Sequence, residues 1–166
     1  MSQQILGSRR SLSDRLEIDP RGPQVTAALT AVVLAAVLVL APSPAATALL
    51  AVQAVLFAIG AGLGVSRTPH AWFFRRVVRP RLGPPTRRED GAPPRFAQAV
   101  GLGFALVGLI GFASGATWLG LGATGLALAA ALLNAVFGFC LGCEIYVLAA
   151  RAGLSSTVRQ TTRRTA

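Results

Sequence analysis

The chain has 166 residues, of which 53% are hydrophobic and only 13% charged, and a net charge of +10. A soluble domain carries about 25% charged residues, so this composition cannot wet a small globule, and a soluble enzyme, a secreted disulfide scaffold and a disordered tail are excluded. A mean hydropathy of +0.59 indicates an integral membrane protein.

All 16 basic residues are Arg, placed between apolar runs. They read as topogenic charge beside anionic headgroups, so membrane lipids are the expected contact and nucleic acid is not.

In chain order, residues 1–22 form a polar tail with Arg9, Arg10, Arg15 and Arg21 against Asp14, Glu17 and Asp19. A short helix is expected around Ser13–Ile18. Pro23 suits the first turn of a helix, where its missing N–H costs nothing. It opens a membrane domain over residues 23–150. The first two spans are expected at about 25–41 and 45–65, broken by Ala41-Pro42-Ser43-Pro44. The small residues Ser43-Pro44-Ala45 suit a signal peptidase. The first run is long and follows a tail that carries three acids, so a retained helix is expected.

The middle loop carries His70-Ala71-Trp72-Phe73-Phe74-Arg75-Arg76-Val77-Val78-Arg79. Aromatics at the headgroup level with snorkelling arginines predict a short interfacial helix ended by Pro80. Arg75, Arg76 and Arg79 are the candidate lipid- or partner-binding residues.

The third and fourth spans are expected at about 96–113 and 118–138, and the last helix extends to about 150. A single helix from Trp118 to Ala150 would be about 50 Å long. It therefore projects past the bilayer or bends near Gly138 or Gly142. Residues 151–166 form a basic tail.

Every Arg lies in the two tails or the middle loop, and the turns at Pro42–Pro44 and Ser114–Thr117 carry no charge. The positive-inside rule then places both termini and the middle loop in the cytoplasm. The expected fold is an all-α, four-helix, multi-pass protein built as two hairpins, in a bacterial inner membrane. Asp19-Pro20-Arg21-Gly22-Pro23 and Asp90-Gly91-Ala92-Pro93-Pro94-Arg95 open the two hairpins alike, which suggests a faint tandem repeat.

Three features could carry chemistry or contact. The two cysteines of the chain are three apart, in Phe139-Cys140-Leu141-Gly142-Cys143-Glu144. On a helix, i and i+3 share a face about 5–6 Å apart, within reach of a disulfide. Glu144 either opposes a Cys140 thiolate or accepts its proton. Cys140, Cys143 and Glu144 are the candidate catalytic residues. Two other readings stay open: small apolar filler, and a mixed metal site with His70, which a single CxxC supports poorly. No metal or cofactor is expected. Gln53 and Asn134 sit in apolar runs and either hydrogen-bond between helices or line a solute path. Gly60-x-x-x-Gly64, Gly111-x-x-x-Gly115 and Gly138-x-x-x-Gly142 predict close helix packing.

The segments Phe73–Pro80, Pro93–Gln98 and Asn134–Glu144 together resemble the bacterial membrane family of domain of unknown function 4395, over roughly residues 19–150. The resemblance implies a small multi-helix membrane protein without an established reaction. It also implies company with thioredoxin-like or sulfurtransferase proteins.

The leading expectation is therefore a cytoplasm-facing dithiol in thiol redox or sulfur transfer with such a partner, whether or not the chain is itself an enzyme. The alternatives are a transporter or transport subunit for a small sulfur-containing anion, and a structural scaffold. A homo-oligomer is compatible with each.

Overall fold

The computed structural model describes residues 17–19, 21–82 and 89–152. In order these form β1 (Glu17–Ile18), α1 (Arg21–Leu40), α2 (Pro44–Leu63), a 3₁₀ turn (Val65–Arg67), α3 (Pro69–Phe73), a π turn (Phe74–Val78) and α4 (Arg79–Leu82). They continue with β2 (Glu89–Asp90), α5 (Ala92–Ala113), α6 (Thr117–Phe137) and α7 (Leu141–Arg151). Among the described residues the protein is all-helical apart from this two-residue strand pair. Four helices, α1, α2, α5 and α6, are long and apolar enough to cross a membrane. At 1.5 Å per residue, about 20 residues match a hydrocarbon core of about 30 Å.

α1, α2 and α5 begin earlier than their apolar runs do, and a polar acceptor stands at each start. Asp19 Oδ1 accepts the Arg21 N–H at 3.0 Å, and Asp90 Oδ1 accepts the Ala92 N–H at 3.0 Å. Each aspartate satisfies an orphan donor and sets its helix start upstream of the hydrophobic stretch. At α2, Ser43 Oγ accepts the Ala46 N–H at 3.1 Å and Pro44 takes the first helical position.

Other boundaries also depart from the sequence pattern. The helix expected around Ser13–Ile18 lies outside the described residues at 13–16. Glu17 and Ile18 are extended instead and pair antiparallel with Asp90 and Glu89. The middle-loop helix does not stop at Pro80 but runs on to Leu82. The π turn at Phe74–Val78 widens the backbone just before the proline, and the Arg79 N–H donates to Phe74 O, five residues back. That relieves the clash between a proline ring and the carbonyl four residues earlier. The last helix does not extend to about 150: of the two expected outcomes, projection or a bend near Gly138 or Gly142, the chain breaks at Gly138, and Leu141–Arg151 is a separate helix.

The long helices close a ring in which α1 packs on α2, α2 on α5, α5 on α6 and α6 back on α1. Leu34, Val37, Ala46, Leu50, Ala54, Phe57, Ala105 and Ala127 form its buried core. α5 and α6 approach closely. A Cβ on Gly111 would lie 2.5 Å from Gly120 N and 2.9 Å from its Cα. The small-residue motifs therefore act differently from a packing stripe. In each, one glycine packs (Gly60, Gly111, Gly142) and the other adopts positive φ at a helix end (Gly64, Gly115, Gly138).

The two halves repeat one plan: a two-residue strand, an Asp-capped helix, a three-residue turn and a second long helix. A positive-φ glycine and an N-capped short helix complete each half. The cross-ties repeat as well. Gln24, five residues after Asp19, donates from Nε2 to Ala135 O at the end of α6, at 3.1 Å. Arg95, five residues after Asp90, donates to Ala61 O at 3.0 Å and Gly62 O at 2.8 Å at the end of α2. The first helix of each half thus holds the last carbonyls of the other half's second helix. These ties, the strand pair and the middle-loop arginines share one end of the ring. The uncharged turns 41–43 and 114–116 lie at the other.

Gly111→Ala is expected to destabilise the fold by about 1–3 kcal/mol, because the new methyl meets backbone rather than a movable side chain. Gly103, with nothing within 4 Å of an added Cβ, is the matched control. Gly103→Ala should be neutral or slightly stabilising. Thermal unfolding in one detergent compares them; equal melting temperatures would refute the tight α5–α6 contact.

Candidate functional site

The site forms where α6 ends. Gly138 adopts the left-handed conformation at φ 66°, which glycine allows without a Cβ penalty. Its N–H still donates to Asn134 O at 3.0 Å. The chain then turns, and α7 starts at Leu141 with Cys140 as its N-cap. Cys140 and Cys143 are joined by a disulfide with their Cα atoms 5.2 Å apart. The spacing is that expected of i and i+3, but the two do not share the face of one continuous helix. Cys140 is extended, at φ −88° and ψ 97°, and only Cys143 is helical.

This placement gives Cys140 a partner that a mid-helix residue would lack. The Cys143 backbone N–H donates to Cys140 Sγ at 3.3 Å. A thiolate at Cys140 would receive the same N–H and face the positive end of the α7 dipole. Glu144 sits exposed in the first turn of α7, and its N–H donates to Cys140 O at 3.0 Å. Its carboxylate also favours a helix N-terminus. Both cysteines are half-buried. α7 is held against the start of α5: a Cβ on Gly142 would come 2.7 Å from Ala97 Cα, and the Phe96 and Tyr146 rings pack with centroids 5.8 Å apart.

Cys140 contributes to the wall of a cavity of about 320 Å³ between α1, α5, α6 and α7. Most of the wall is apolar. Its polar members are Thr26, Thr30, Gln98 and Asn134. A second cavity of about 200 Å³ lies under the middle loop and is lined by Asp19, Ser66, Arg75 and Arg79. Pro23, Thr26 and Val65 belong to both walls.

The sequence-predicted residues therefore separate into groups. Cys140, Cys143 and Glu144 come together, and Asn134 joins Cys140 on the first cavity. Arg75 and Arg79 meet at the second cavity, where Arg75 Nη1 donates to Ser66 O at 2.8 Å; Arg76 is exposed and lines neither. Gln53 is only 1% exposed and lies in the core, its Oε1 without a hydrogen-bond partner among the described residues. Burial pushes the His70 imidazole below its ordinary value, so at neutral pH it adds no charge to the arginine end. Among the described residues, no three His, Cys, Asp or Glu side chains cluster as a metal site would require.

Sequence reasoning missed Gln24, Thr26, Thr30 and Gln98. Thr26 and Thr30 are one turn apart on α1 and both buried, so an i, i+4 polar pair inside an apolar run was the available signal.

The family model described as Domain of unknown function (DUF4395) matches residues 18–151. The chain belongs to the DUF4395 family. No curated protein and no solved structure matches it. The DUF4395 match takes in both cavities, the disulfide and the two cross-ties, from Asp19 to Arg151.

Gly138→Ala should cost about 1–2 kcal/mol, since the left-handed turn before Cys140 then carries a Cβ. Lower thermal stability together with slower reformation of the Cys140–Cys143 disulfide after reduction is the expected result. An unchanged rate would show that the turn does not position the cysteines.

Proposed function

We propose that this DUF4395 protein is a multi-pass protein of the bacterial cytoplasmic membrane whose Cys140–Cys143 pair cycles between dithiol and disulfide. Its domain runs over residues 23–150, between cytoplasmic tails at 1–22 and 151–166. The partner is a cytoplasmic thioredoxin-like or sulfurtransferase protein. One observation carries the reading: two cysteines in disulfide contact, at a helix start, at the arginine-bearing end of a bundle of membrane-crossing length. Cys140, with a backbone N–H aimed at its sulfur, is the attacking or leaving group, and Cys143 resolves. Glu144, in the first turn of α7, takes up the proton in this reading. In this reading the segment 69–82 lies at the headgroup level with Trp72 exposed, and Arg75, Arg76 and Arg79 attract lipid or partner.

A second reading, transport of a small sulfur-containing anion, draws support from the cavity lined by Arg75 and Arg79. The two differ in what they require of the cysteines.

Tags at either terminus are expected to stay protected from impermeant reagents in intact cells and to become accessible on lysis. Labelling of a terminal tag from outside would sink the orientation.

Mass-shift alkylation in native membranes across a series of redox buffers should show a reversible two-thiol transition. Cys143→Ser should trap a mixed disulfide with a thioredoxin-like protein, because resolution is lost. Should both thiols stay inert at pH 8 yet label after denaturation, the redox reading fails. Transport that persists in the Cys140→Ser, Cys143→Ser double variant would favour the second reading.

A further inference from the structure

The cavity beside Cys140 remains without a use in the exchange between the cysteines and a soluble partner. A single pair must both receive and pass on electrons to turn over, and the chain holds no third cysteine. The second redox partner therefore comes from outside the chain. We propose that it is a lipid-soluble para-quinone, and that the cavity of about 320 Å³ is its binding site. This rests on the dithiol reading above and extends it by naming the electron acceptor.

Four observations on the cavity support the assignment. Its volume lies at the lower end of the range for small-molecule sites, about 300–1,000 Å³, which suits one ring system. Its wall is mostly apolar, including Phe57 and Phe104, and this disfavours a charged oxidant such as glutathione disulfide. The cavity lies among helices of membrane-crossing length, the setting a lipid-soluble ligand requires. Cys140 is on the wall, so the cavity borders the cysteine that exchanges with the soluble partner.

The polar groups fit the same ligand. Gln98 and Asn134 lie on the wall as carboxamides. A carboxamide donates an N–H to a quinone carbonyl and accepts the O–H of the quinol, so it serves both redox states. Thr26 and Thr30 hydroxyls have the same dual capacity.

The step balances. The Cys140 and Cys143 thiols lose two protons and two electrons as the S–S bond forms. The quinone ring takes up the electron pair, and each of its two oxygens takes one proton to give the quinol. The soluble dithiol partner then reduces the disulfide, and the quinol leaves to the lipid. The net flow runs from a cytoplasmic dithiol to the membrane quinone pool.

The test uses full-length protein in lipid nanodiscs, reduced with dithiothreitol, desalted and kept anaerobic. Decylubiquinone or a short-chain menaquinone is added, quinol is followed by absorbance, and the disulfide by mass-shift alkylation. One quinol per disulfide formed is the expected result. Ala130→Phe fills the cavity and should lower the ratio of quinone-driven to diamide-driven oxidation about tenfold or more. Asn134→Leu, which keeps the branched side-chain shape but removes the carboxamide, should raise the quinone concentration needed for half-maximal rate. If diamide and an oxidised thioredoxin close the disulfide but neither quinone does, the quinone assignment is overturned and the dithiol reading survives. If the ratio is the same in wild type and Ala130→Phe, the cavity is not the site. If no oxidant closes the disulfide, both readings fall together.

Discussion

The architecture depends on how helix ends are satisfied at the charged end of the ring. A chain this apolar has few polar side chains to spare, yet each long helix leaves several carbonyls or N–H groups unpaired. The solution is reciprocal. Asp19 and Asp90 hold the starts of α1 and α5. Gln24 and Arg95, each five residues further on, reach across to the last carbonyls of α6 and α2. A guanidinium at the end of α2 also complements that helix's negative pole. Each half thereby finishes the other, and neither half has all its ends satisfied alone.

This mutual capping decides where the chain can leave the ring. With the ends of α2 and α6 tied down, the next residues must turn sharply, and Gly64 and Gly138 do so at positive φ. Each turn leads into a short helix. One leads into the arginines of the π turn and α4 and folds over α1; the other starts at the cysteines and folds over α5. The redox candidate is therefore set by the same backbone event that closes the bundle, and the apolar cavity lies beneath it.

Much of this was legible in the sequence. Four spans follow from apolar run length, and the concentration of charge at one end follows from where the arginines stand. A stretch too long for one bilayer had to project or bend, and the left-handed Gly138 makes it bend. The features that escaped did so for physical reasons. Span starts at Arg21 and Ala92 are set by aspartates whose capping bonds are local geometry rather than hydropathy. Pro80 reads as a stop because a π turn leaves no signature in composition. Cys140 reads as helical because spacing alone cannot distinguish an N-cap from a first turn. The cavity needed tertiary structure, since its polar wall residues come from α1, α5 and α6, each a modest exception within an apolar run.

The two short helices differ in the atom that caps them. Thr68 Oγ1 accepts the Ala71 N–H at 3.2 Å, and Cys140 Sγ accepts the Cys143 N–H at 3.3 Å. A hydroxyl performs in one copy of the repeat the structural task that sulfur performs in the other. The bundle accordingly has no architectural need of cysteine at position 140. A hydroxyl at position 140 would cap α7 and still close the ring, so the fold does not depend on the thiols that would carry the chemistry.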